Sequence, residues 1–108
     1  MNSIYIWGTP NGVDEDIYKT VTKLLIDIFK SRDMESLAVF FPTDRMNWGL
    51  GEEIIVHISG PIVLGGKELD RLTKSVGRVV QSGFRPKHIK CVVLKEKSSV
   101  GSGHWSSS

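Results

Sequence analysis

Sulfur chemistry is nearly missing from this sequence: its one cysteine, Cys91, leaves no partner for a disulfide within the chain. A reduced, intracellular setting is the default for such a chain, and a cytoplasmic location is expected. Metal-ligand spacing is missing too, because His57, His88 and His104 stand 31 and 16 residues apart. No pair of them reads as a metal site, so no metal or cofactor is expected. Charge of one sign is also scarce. The net charge is +2, and Lys and Arg are spread over both halves without an arm or run, too little to argue for a nucleic-acid partner, and none is expected. No apolar stretch approaches the ~18 residues that cross a membrane. The opening "MNSIYIWG" lacks the basic segment and apolar length of a signal peptide.

What is present is an ordinary globular composition, 40% apolar and 24% charged over 108 residues, enough for one hydrophobic core and one domain, 1–108. "SIYIWG" is a strand pattern that ends in Gly-Thr-Pro. "VDEDIYKTVTKLLIDIFKS" then sets Ile17, Val21, Leu24, Leu25 and Ile28 on one helical stripe. Asp14, Glu15 and Asp16 stand at its start, where acidic groups suit the free N–H donors. "SLAVFF" reads as a second strand, stopped by Pro42. The sequence "EIIVHISGP" begins the same order again. The helix "KELDRLTKSVGRVVQSG" carries Leu69, Leu72, Val76 and Val80 on one face, with Gly83 placed to end it. "HIKCVVLKEK" is a last strand.

A shift of 52 aligns the halves without a gap: Ile4 with Val56, Ile6 with Ile58, Gly8 with Gly60, Leu24 with Val76 and Phe40 with Val92. The chain therefore reads as a tandem duplication of a β-α-β unit, about 1–52 and 53–103. The fold class is α+β: a four-stranded mixed sheet with two helices on one face. "EIIVHI" and "KCVVL" are apolar at nearly every position, as strands covered on both faces are. An oligomer packing sheet against sheet is expected. The alternative is a monomeric ferredoxin-like sandwich with one open face, a binding module.

Two such units in one chain, with an oligomer implied, resemble the tautomerase superfamily. "NWGLGEE" (47–53) is similar to the aromatic-Gly-x-Gly turn of 4-oxalocrotonate tautomerase-like proteins, "HISGPIVLGG" (57–66) is similar to a His-Ser-x-Gly…Gly-Gly stretch of macrophage migration inhibitory factor, and "VGSGHW" (100–105) is similar to that protein's Val-Gly-Trp ending. The resemblance covers nearly the whole chain. It implies a homotrimer with a small-molecule site at each subunit interface, lined by Trp48 and Val100, and proton transfer next to a carbonyl (an isomerase of the keto-enol tautomerase type).

The family's working amine is an N-terminal proline freed by removal of methionine, whereas this chain begins "MNSI". Asn2 is bulky enough that Met1 is expected to be retained, so its primary amine is the candidate base or nucleophile. An α-amino group ordinarily titrates near ~8, and desolvation lowers that value. Where one branch of the family has Gly-Arg, this chain has "GTPNG". Arg32 falls near a pocket lysine of the other branch and is the candidate carboxylate anchor; Arg45, ahead of Trp48, is a second candidate without a family match. The expected site is Met1 with Arg32, Arg45, Trp48 and Val100. The expected ligand is a 2-oxo acid or enol, and tautomerase-type activity is weak, altered or lost without the proline. A non-catalytic trimeric binding or assembly protein is the alternative.

Overall fold

A computed structural model describes residues 1–34, 36–42, 53–62 and 64–95. Along the chain run β1 (Asn2–Trp7), α1 (Glu15–Lys30), β2 (Leu37–Phe40), β3 (Glu53–Gly60), α2 (Gly66–Phe84) and β4 (His88–Lys95). The sheet order is β2-β1-β3-β4. β1 pairs parallel with β2, β3 pairs parallel with β4, and β1 meets β3 antiparallel at the centre. Each helix thus joins two adjacent parallel strands. A ferredoxin-like sheet differs here, because its split β-α-β units place another strand between the two that a helix connects. The ferredoxin-like topology of that alternative is overturned by the sheet order.

The repeat spacing of 52 carries into the strand pairing. Asn2 pairs with Leu37 and Ile54 with Ile89, the same register one repeat later. Across the centre Tyr5 pairs with His57, its own repeat mate, so a local twofold relation passes between these two side chains. The glycines ending β1 and β3 obey it as well. Gly8 (φ 91°) and Gly60 (φ 141°) both hold backbone that L side chains rarely adopt. A Cβ on Gly8 would lie 2.6 Å from the Glu53 carbonyl oxygen, and one on Gly60 would lie 2.8 Å from Asn2 Cα. Each glycine lets the end of one central strand press against the start of the other.

Alternation places Ile4, Ile6, Ile54, Val56 and Ile58 on the helix side of the sheet, all essentially without exposure. They meet Val21, Leu25 and Phe29 of α1 and Leu72, Val76, Val80 and Phe84 of α2. Burial of each such side chain contributes about 1.5–3 kcal/mol. Of the stripe expected for α1, Val21 and Leu25 lie in the core, but Leu24 does not and Phe29 does. Leu24 is 42% exposed while Leu25 is fully buried, so the helix faces repeat at 51 rather than 52. Gly83 also differs from expectation, since α2 runs through it to Phe84 and Arg85 takes the left-handed cap at φ 52°. Gly83 lies where α2 crosses α1, and a Cβ there would come 2.5 Å from Val21 Cγ2. Close helix approach, not termination, is what this glycine supplies. Asp14 caps α1 as expected, accepting from the Asp16 N–H at 3.3 Å.

Candidate functional site

The start of β1, beside Met1, and the end of α1, beside Arg32, lie at the same end of the sheet. Asn2 is the first residue of the strand and is 1% exposed. Its N–H donates to the Ser36 carbonyl at 3.0 Å, tying β1 to the chain between α1 and β2. Met1 lies just outside the strand with 66% of its surface exposed. Because β3 runs antiparallel, its end and the 60–62 turn reach the same end of the sheet: Ser3 pairs with Ser59, and Gly60 abuts Asn2. The Ile62 N–H turns back to the Gly60 carbonyl at 2.8 Å.

Arg32 follows α1 at this end, four residues before Ser36, and is half-buried. Its Nη1 donates to the Ile28 carbonyl and contacts Ser31 Oγ, both at 3.3 Å. A cation there also complements the carbonyl end of the helix dipole. Arg32 Nε is buried with no hydrogen-bond partner among the described residues. A planar guanidinium with an unspent donor suits a carboxylate, which can accept two of its N–H groups at once. Arg45, Trp48 and Val100 lie outside the described residues. Sequence reasoning did not foresee the contact between Gly60 and Asn2, although the alignment of Gly8 with Gly60 held the signal.

Two concavities among the described residues involve neither Met1 nor Arg32. A groove of about 540 Å³ runs between α1 and α2, lined in part by Ile17, Leu24, Val79 and Arg85. A shallow hollow of about 560 Å³ lies along α2 and β4, with Cys91 in its wall. Burial pushes the Cys91 thiol up to about 11, so it stays protonated and unreactive, as read from its mid-strand position. Among the described residues no three His, Cys, Asp or Glu side chains gather to hold a metal ion, and no helix is long and apolar enough to cross a membrane.

The sheet face turned away from the helices is the other feature with functional bearing. It presents Ala38 and Phe40 from β2, Ser3, Tyr5 and Trp7 from β1, Ile55, His57 and Ser59 from β3, and Lys90, Val92 and Leu94 from β4. Tyr5 stacks on Phe40 at 4.7 Å between ring centroids and on Trp7 at 6.5 Å. Phe40 and Leu94 remain 44% and 43% exposed. The outward faces of the helices instead carry the ion pairs Lys19–Glu15, Arg71–Glu68 and Lys74–Asp70. Solvent therefore suits the helix layer better than the sheet.

No family model matches the sequence, and no curated protein matches it. Solved structures do match its fold. A protein described as a fused 4-OT wild type asymmetric trimer aligns with a TM-score of 0.74 at 10% identity, over 94% of this chain and 92% of that one. Macrophage migration inhibitory factor of Toxoplasma gondii aligns with a TM-score of 0.68, also at 10% identity, over 94% and 96% of the two chains. A 5-carboxymethyl-2-hydroxymuconate delta-isomerase aligns at 0.57 with 7% identity, over 98% and 89%. These near-complete alignments join the duplicated β-α-β order and the β2-β1-β3-β4 sheet in one conclusion: the chain has the fold of the tautomerase superfamily.

Proposed function

We propose that this chain assembles as a homotrimer with its open sheet faces turned inward, each subunit interface holding a small-molecule site at the start of β1. The observation that carries the site is Arg32: its buried Nε lacks a partner among the described residues, at the sheet end where Asn2 is tied to Ser36. In this reading Arg32 orients the carboxylate of a 2-oxo acid or its enol. The primary amine of Met1 moves a proton at the carbon next to the carbonyl, or condenses with the carbonyl carbon and releases water. Trp48 and Val100, with Arg45 at the margin, wall the site, an assignment that rests on the resemblance of their segments. The trimer is supported by the apolar sheet face and by the fused 4-OT trimers of the same fold.

A non-catalytic scaffold is the second reading, and one observation favours it. Arg32 already serves as a cap for α1 through the Ile28 carbonyl, a structural role sufficient to account for it.

Turnover of phenylenolpyruvate and 2-hydroxymuconate separates the two. The catalytic reading expects measurable enol-to-keto conversion, lost when the Met1 amine is acetylated. Arg32→Ala is then expected to lower kcat/KM by about 10- to 100-fold, the loss of a charge-assisted hydrogen bond. Absence of turnover and of carboxylate binding in the wild type establishes the scaffold. An Asn2→Pro variant with Met1 removed, checked by mass, then tells whether the rest of the pocket still works.

A further inference from the structure

The open sheet face has a histidine at its centre, beside a tyrosine. His57 stands on β3 opposite Tyr5 of β1 and beside Val92 of β4. Its next neighbours on the same face are Ile55 and Ser59 along β3, Ser3 and Trp7 on β1, and Lys90 and Leu94 on β4. Phe40 of β2 stacks beyond Tyr5. Apart from Tyr5, the other ionisable groups described on this face sit toward its margin: Glu53 and His88 pair at the beginning of β3 and β4, and Lys90 lies on the edge strand. Of these, Lys90 is the one diagonal to His57, since it pairs with Ile55 two residues before it. No carboxylate among the described residues flanks His57 on the face; Glu53 is four positions away along the strand.

We infer that His57 is a proton-controlled lock on self-association: the face packs against other copies of the chain while the imidazole is neutral and releases them when it is protonated. The inference rests on the inward-facing assembly proposed above. A second copy laid on the sheet takes His57 out of water at the middle of an apolar surface. A neutral imidazole tolerates that, with one N–H seeking a hydrogen bond. An imidazolium does not, because burial disfavours the charged form. The separated subunit, with His57 still reached by water, binds the proton more readily than the assembled one. Falling pH therefore favours separation, and the assembly is firmest above the range in which histidine titrates. Tyr5 does not interfere, since a phenol carries no charge at these pH values.

The test measures subunit mass against concentration by sedimentation at about pH 8 and about pH 5.5, the two sides of ordinary histidine titration. Circular dichroism in parallel follows whether the subunit stays folded. The expected result is a trimer at the higher pH and dissociation at the lower, with an assembly constant that falls up to about tenfold per subunit for each pH unit. His57→Gln, which cannot be protonated, is expected to remain trimeric at both values, and His88→Gln to behave as wild type. A wild type trimeric at both pH values overturns the lock and leaves the assembly standing. PH-dependent dissociation that persists in His57→Gln overturns it too. A monomer at the higher pH overturns the assembly and the lock together.

Discussion

Cys91 shows how position decides reactivity at the scale of one residue. It lies on the helix side of β4, across from Val56, and packs against the core. Desolvation there disfavours the thiolate and lifts the thiol from 9.0 to about 11. A disulfide reagent that consumes thiolate should accordingly react about a hundredfold more slowly with native protein than with protein in urea at a pH below both values. Equal rates would mean that β4 opens locally and exposes the sulfur. The sign for stability follows from the same shift. The thiol costs nothing while it is protonated in both states; as pH rises from about 9 toward about 11 only the unfolded chain ionises, and folding weakens. Arg32 teaches a different lesson. Its position in a polar loop was legible in the sequence, but its hydrogen bond to the Ile28 carbonyl was not, because capping at a helix end depends on where the last turn stops.

Elements were read well where one periodicity had no competitor. The strands repeat at 52 in both burial and pairing, since an alternating pattern shifted by one would move Ile4 and Ile6 to the opposite face. The helices left more freedom. "LLIDIF" contains two overlapping apolar stripes, one through Leu24 and Ile28 and one through Leu25 and Phe29, and local periodicity cannot separate stripes one residue apart. Packing separates them: Val21, Leu25 and Phe29 point into the core, and the crossing of α2 at Gly83 presses on Val21. Gly83→Ala tests that crossing. Helix propensity alone predicts a gain of about 0.8–1 kcal/mol, whereas the forced contact with Val21 costs about 1–3 kcal/mol. A net loss of stability in denaturant titration is expected. Adding Val21→Ala should make the second change less costly than it is alone, since each then relieves the other. A stabilised Gly83→Ala protein would show that the helices slide apart freely.

At the scale of the whole molecule the distribution of charge and apolar surface is lopsided. Ion pairs line the helices, while the sheet shows stacked aromatics and two large side chains more than two-fifths exposed. The repeated strand register and the apolar character of this face were both legible in the strands. The expected site was only half placed, with Met1 and Arg32 at one end of the sheet and the Trp48 turn and Val100 outside the described residues. The proposed site would be shared between subunits, and surfaces meeting across chains are encoded by no periodicity within one chain. Phe40→Glu with Leu94→Glu puts the cover itself to the test. Both side chains are exposed on the edge strands, so the subunit should keep its core and its circular dichroism spectrum. An uncompensated carboxylate buried between subunits costs several kcal/mol, and each trimer would carry it at every interface. Sedimentation should therefore give the mass of one subunit at concentrations where the wild type is trimeric. If the double variant stays trimeric, the subunits meet through a different surface, and the aromatic row of Phe40, Tyr5 and Trp7 must face something other than a copy of itself.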